Sequence, residues 1–300
     1  MKTKSKSAFP LISLIVGVII LGFSAIFVRT ADAPSVVLNF YRMGIGTLIL
    51  SGPFLLKFRA KNQKLSRSGI VIAGAAGVLF SLDLILWSAG VQISGATNPT
   101  LMANTAPIWV GLGAALIFKE SRRRLFWVGL VVALIGTFQI IGLDLQQSAA
   151  AGRGTLYGLA GGLFYGAYLL LGQKGRDRLS ALSFFWIAVL SAAIVLGAAV
   201  LFSGYSLLGY SRVTYWSMLG LGVLVQSAGW LLINYAQGYL PAAIVSPTLL
   251  GQPVITALLS FFFLQEQFTL RQGAAGAVVL LGVFLVHYSR RSPQRRTSDG

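Results

Sequence analysis

The chain has 300 residues, of which 56% are hydrophobic and only 10% charged, with a net charge of +17 and a mean hydropathy of +0.78. Soluble globular domains carry about 25% charged residues, so membrane-spanning segments must supply the apolar excess. The basic residues lie in short segments between apolar runs, which excludes nucleic acid as a partner, and the lack of cysteine excludes disulfides, thiolate metal sites and a cysteine nucleophile.

Lys2, Lys4 and Lys6 precede a first apolar run at 8–28. It exceeds the about 7–15 residues of a signal-peptide core and is followed by Pro34, so it reads as an uncleaved span although Ala31-Asp32-Ala33 mimics a cleavage site. A second run covers 35–56, closed by the basic residues Lys57, Arg59, Lys61, Lys64 and Arg67. Runs three and four cover 69–91 and 99–118; Asn98 is placed to cap the fourth, with Pro99 in its first turn. Lys119, Arg122, Arg123 and Arg124 lead into run five at 125–143. The polar, small-residue segment 144–154 is the natural linker between halves. Runs six to ten follow at 155–172, 181–202, 215–235, 242–264 and 272–288, ahead of a basic tail. These runs are too long for barrel strands, and an open sheet edge cannot sit in lipid, so the expectation is an all-α polytopic membrane protein of ten transmembrane helices.

Orientation follows from Lys and Arg. With a cytoplasmic N-terminus, 19 of the 24 basic residues fall on the cytoplasmic side, which places both termini inside. The chain also repeats itself. Residues 96–120 and 242–266 are related by a shift of 146 positions that superposes Ala96 on Ala242, Pro107 on Pro253, Leu112 on Leu258 and Glu120 on Glu266; Gly136 falls on Gly282 at the same offset. Each half has an odd number of spans, so the second enters the membrane with opposite polarity, as inverted-topology repeats do. The expected parts are a five-helix repeat at 1–149, an inverted five-helix repeat at 150–289 and a cytoplasmic tail at 290–300.

The stretch FSAIFVRTADAPSVVLNFYRMGIGTLIL (23–50) resembles the opening of EamA-type transporters of the drug/metabolite transporter superfamily. So do the proline-then-glutamate endings of runs four and nine and the segment NYAQGYLPAAIVSPTLLGQPV (234–254). The resemblance covers about residues 10–288 and implies ten helices in two inverted repeats, movement of small organic solutes through a central cavity, and a bacterial inner membrane. Phe23 stands where many relatives carry tryptophan, and Gln265-Glu266 replaces the commoner Gly-Glu.

Charges inside a span cost ~2.5–3.5 kcal/mol at its centre, and two lie well within apolar runs, Arg42 and Asp83. Counting at 1.5 Å per residue, both are roughly 11–12 Å below the outer surface. They are either a structural ion pair or a solute- or proton-binding site. Asn39, Asn104, Thr105, Gln139, Gln226, Asn234 and Gln252 are intramembrane polar positions, whose commoner use is interhelical hydrogen bonding. Pro107, Pro247 and Pro253 mark helix breaks in corresponding places of the two halves, the pattern that accompanies transporter binding sites. Trp87, Trp109, Trp186 and Trp230 can stack on a solute or anchor at the lipid interface. The expected cavity gathers Arg42, Asp83, Trp87, Asn104, Trp230, Asn234 and Gln252. His287 reads as interfacial; Glu120 and Glu266 read as span ends, with Glu120 among basic neighbours that favour local ion pairing.

The function that fits is a secondary transporter of a small organic solute (metabolite, amino acid or drug) working by alternating access, in the export direction. It sits in the plasma membrane, with proton coupling at Asp83 as one option. A monomer is compatible with the sequence, and no cofactor or metal is implied. A non-transporting scaffold or receptor is the alternative. An intramembrane enzyme fits worse: there is one histidine, no HExxH and no pair of intramembrane carboxylates. No phosphate-binding glycine loop is present, so ATP is not used within this chain.

Overall fold

The computed structural model describes residues 8–61, 65–94, 97–119, 123–141, 149–265 and 270–291, and every regular element among them is helical. In hydrocarbon no water satisfies the backbone, so each apolar run closes its hydrogen bonds within itself. The elements are α1 (Phe9–Thr30), α2 (Ser35–Lys61), α3 (Arg67–Ser94), α4 (Thr97–Ala103), α5 (Ala106–Ile117), α6 (Arg124–Ile141), α7 (Ala149–Arg176) and α8 (Ala181–Ser203). Then come α9 (Arg212–Gly220), a π-helical stretch (Leu221–Gly229), α10 (Trp230–Gln237), α11 (Ala242–Leu249), α12 (Gln252–Leu264) and α13 (Leu270–Arg291). Local signals set several ends. Ser180 and Ser211 cap α8 and α9 by accepting from the backbone N–H groups of Ser183 and Thr214, and α8 stops at Gly204 in the left-handed conformation (φ 71°).

The outer surface is apolar. Phe202, Leu116 and Leu201 are 92%, 81% and 78% exposed, an arrangement that water penalises and lipid does not. Among the described residues, six helical stretches are long and apolar enough to cross a membrane, and Ala106–Ile117, Arg124–Gln139 and Gly273–Ser289 are shorter apolar helices. The chain is a multi-pass membrane protein. The sequence-based count of ten is therefore only partly matched by length and hydropathy. α2 falls below that hydropathy because it carries Asn39 and Arg42, which are buried against protein.

Several helices outrun their apolar runs. α2 continues to Lys61 and α3 starts at Arg67; the exposed Arg59 and Arg67 can extend toward water while the backbone stays helical. α7 starts at Ala149, inside the segment read as linker, whose alanines favour helix. α4 begins at Thr97, so Asn98 lies within the helix. The π-helical stretch was not expected from sequence. His287 is not simply interfacial: its Nε2 lies 2.8 Å from the Thr248 hydroxyl on α11. Glu120 and Glu266 lie outside the described residues.

Packing repeats across the halves with partners exchanged. α3 packs on α7 and α8, and the α9–π–α10 unit packs on α1 and α2. α4 and α5 pack on α7, while α11 and α12 pack on α1; α6 pairs with α13, and α2 with α8. The two broken spans break in register. α4 ends at Ala103 and α5 starts at Ala106, whereas α11 ends at Leu249 and α12 starts at Gln252, so the interruptions stand at the offset seen in the sequence. Pro107 and Pro253 each lie at the start of the second helix of the pair, where a missing N–H costs nothing. Pro247 lies inside α11 and not at its break.

Candidate functional site

A cavity of about 200 Å³ opens where α1, α2, α3, α4, α7, α10 and α12 converge. Helical periodicity builds its walls. Phe80, Asp83, Leu84 and Trp87 share one face of α3, Asn39 and Arg42 one face of α2, and Thr100, Ala103 and Asn104 the end of α4. Tyr165 of α7, Trp230 of α10 and Gln252 of α12 close it from the other half.

Arg42 and Asp83 are both buried, each 7% exposed, and both line the cavity. They do not touch: no ion pair within 4.0 Å joins them among the described residues. Arg42 instead donates through Nε to Oε1 of Gln226, at 2.8 Å, in the π-helical stretch. The Asp83 carboxylate accepts no hydrogen bond among the described residues, and Arg42 is the charge whose field it feels. Gly161 of α7 lets Asp83 approach, since a Cβ there would lie 3.1 Å from Asp83 Oδ1. Burying charge is costly, and these two unlike side chains, Arg42 with a neutral partner and Asp83 with none among the described residues, line the same cavity.

The polar residues around them are held by hydrogen bonds within and between helices. Trp87 Nε1 donates to Thr100 Oγ1 at 3.0 Å, and Asn104 Nδ2 to the Thr100 carbonyl at 2.8 Å. Gln252 Nε2 donates to the Leu21 carbonyl at 3.3 Å, tying α12 to α1. The floor is aromatic. Phe80 stacks on Tyr168 with centroids 4.6 Å apart, and Trp230 meets Phe80 edge-on at 5.2 Å and Tyr165 at 6.0 Å.

The structure thus brings Arg42, Asp83, Trp87, Asn104, Trp230 and Gln252 to one cavity. Asn234 is not among its walls. It is fully buried, donating to the Tyr168 hydroxyl at 3.2 Å and to the Trp230 carbonyl at 2.9 Å, one layer behind the aromatic floor. Trp186 is also away from the cavity, stacked on Phe54 at 4.1 Å. Sequence reasoning missed Phe80, Thr100 and Tyr165. Phe80 was within reach, being one turn before Asp83 on the same face; Tyr165 sits in a glycine-rich run with no local signal.

A family model matches this chain in two stretches. The EamA-like transporter family matches residues 8–142 and again 152–288. An uncharacterized transporter of Archaeoglobus fulgidus is 24% identical over 91% of this chain and 94% of its own length. The threonine/homoserine exporter RhtA of Salmonella typhimurium is 24% identical over 86% of this chain and 84% of its own. The S-adenosylmethionine uptake transporter of Rickettsia prowazekii is 20% identical over 84% and 83%. One crystal structure superimposes with a TM-score of 0.80 at 16% identity, covering 96% of this chain and all of that one, which shows a shared fold. With both matched stretches together spanning nearly its whole length, the chain belongs to the EamA-like transporter family.

Proposed function

We propose that the chain is a secondary transporter that carries a small zwitterionic solute of amino-acid type across the plasma membrane by alternating access, in the outward direction. The observation that carries this reading is the pair of buried unlike charges, Arg42 and Asp83, facing one cavity without contacting each other. A carboxylate on Arg42 and an ammonium on Asp83 would compensate both charges at once, with the faces of Trp87 and Trp230 adding cation–π attraction. A cavity of about 200 Å³ lies below the roughly 300–1,000 Å³ of drug-sized pockets, which favours amino acids over drugs. Threonine, homoserine and S-adenosylmethionine, named for two of the relatives, all carry the amino-acid group. The outward direction follows the exporter, the more similar of those two.

In this reading the chain forms ten spans as two inverted repeats, 1–149 and 150–289, with a cytoplasmic tail at 290–300 and both termini inside. The exchanged packing, the breaks at one offset and the cytoplasmic bias of Lys and Arg all support it. Opposed repeats rocking about the cavity would open it to each side in turn. Asp83 is the shared carrier: when the ammonium leaves, a proton takes its place, so solute export is exchanged for proton entry.

The test is flux in proteoliposomes against amino acids, amines, organic acids and neutral drugs, with and without a pH gradient. Flux of amino acids that responds to the gradient is expected. Flux confined to uncharged drugs, or no flux of any member, contradicts the reading.

A further inference from the structure

A second cavity, of about 430 Å³, lies at one end of the bundle, where the start of α1, the end of α2, the α7–α8 turn and the end of α10 meet. Its walls are apolar: Phe9, Leu182, Leu231 and Leu232. Among the described residues, its charged groups are of one sign. Lys57 comes from the first half and Arg176 from the second. Arg176 donates through Nε to the Asn234 carbonyl at 3.0 Å and through Nη1 to the Leu179 carbonyl. Both acceptors are neutral, and no ion pair compensates the guanidinium among the described residues. Ala181 and Leu182, which also line the cavity, form the first turn of α8, a helix of 23 residues with no acidic residue in that turn. The N–H groups of a helix's first turn point outward and carry partial positive charge. Tyr235 and Tyr239, with ring centroids 5.1 Å apart, complete the rim.

Apolar walls below a rim of Lys57, Arg176 and a helix N-terminus match one kind of occupant, a molecule with acyl chains and a phosphate at their junction. We infer that this cavity binds an anionic phospholipid, with its phosphate between Lys57, Arg176 and the start of α8 and its acyl chains against Leu231 and Leu232. A basic pocket between transmembrane helices is the expected form of such a site. Among the described residues the cavity shares no lining residue with the charged solute cavity, and the lipid would bridge the two halves by contacting α2 of one and α7, α8 and α10 of the other.

Purified full-length protein, stripped of lipid in detergent, is titrated with phosphatidylglycerol, with phosphatidylcholine of the same acyl chains, and with glycerol phosphate and inorganic phosphate. Thermal unfolding and native mass spectrometry read the outcome. Phosphatidylglycerol should stay bound and raise the unfolding temperature, whereas the other three should not. Lys57→Gln should weaken its binding about fivefold, the loss of one lysine beside an anionic headgroup, while Lys174→Gln, on the exposed flank of α7, leaves it unchanged. Leu232→Trp, which fills the apolar wall and keeps every charge, should also weaken binding. Equal effects of phosphatidylglycerol and phosphatidylcholine would overturn the proposal. So would equal effects of phosphatidylglycerol and inorganic phosphate, which would mark a free-anion site, or unchanged binding in both Lys57→Gln and Leu232→Trp.

Discussion

Lys119 and Gln265 adopt the left-handed backbone conformation, at φ 51° and 54°, and stand at equivalent ends of the two broken spans. Each follows the last residues of α5 or α12, so each fills the helix-ending position that glycine usually takes. The departure from Gly-Glu to Gln265-Glu266 therefore places a side chain where the backbone disfavours one. Gln265→Gly should raise the unfolding free energy by about 1 kcal/mol, the left-handed penalty of a non-glycine residue. Gln265→Val should lower it. Thermal unfolding in detergent checks both.

The α6–α13 crossing depends on glycine for a different reason, close approach. A Cβ at Gly282 would lie 2.3 Å from the Ala133 nitrogen, and one at Gly136 would lie 2.6 Å from the Val279 nitrogen. Backbone cannot step aside, so Gly282→Ala and Gly136→Ala should each destabilise by ~1–3 kcal/mol. At Gly44 of α2, no atom of the described residues beyond its own stretch of helix lies within 4 Å of the Cβ position. Gly44→Ala should therefore stabilise by ~0.5–1 kcal/mol through reduced backbone entropy. Equal effects at Gly44 and Gly282 would show that the crossing is not tight.

Asp83 is the coupling residue of the proposed cycle, so the flux that remains in Asp83→Asn, read with the N-acetyl form, should no longer depend on a pH gradient while folded protein remains in the membrane. Gly161→Ala brings a methyl group to 3.1 Å from Asp83 Oδ1. It should weaken solute binding without changing which solutes bind, because Arg42 is untouched. Unchanged gradient dependence in Asp83→Asn would place the coupling elsewhere.

The class, the apolar runs and the paired breaks were legible in the sequence because each has a one-dimensional signature: hydropathy, basic segments, and proline at a fixed offset. Arg42 and Asp83 were legible because charge in an apolar run is conspicuous. Whether they touch was not, since that depends on side-chain direction across α2 and α3, and Gln226 in the π-helical stretch proved to be the partner of Arg42. Asn234 was placed in the cavity because amides in spans look alike, yet its register on α10 turns it behind Trp230.

On one end of the bundle, the loop after α1 is tied to the start of α9. The Asp32 backbone N–H donates to Thr214 Oγ1 at 2.9 Å, and the Thr214 hydroxyl donates back to the Asp32 carboxylate. That hydrogen bond holds the Asp32 carboxyl below its ordinary value of 3.8. A lowered folded-state value means that the contribution is present above 3.8 and is lost as pH falls through the folded value. Asp32→Asn should therefore remove part of the acid-induced loss of stability and leave stability near neutral pH lower than in the native protein. Identical pH profiles for both would contradict the tie.

The most direct measurement is counterflow in proteoliposomes of one amino acid, its N-acetyl derivative and its amide, by the native protein, Arg42→Gln and Asp83→Asn. The native protein should carry the free amino acid and reject both capped forms by roughly 10- to 100-fold, the worth of one charged hydrogen bond. Arg42→Gln should lose the amino acid and relatively favour the amide, and Asp83→Asn should lose it and relatively favour the N-acetyl form. That crossed pattern cannot come from misfolding, which lowers all three fluxes together. Native protein that carries capped and free forms alike, or variants that keep the native preference, would show that Arg42 and Asp83 do not form the transport site.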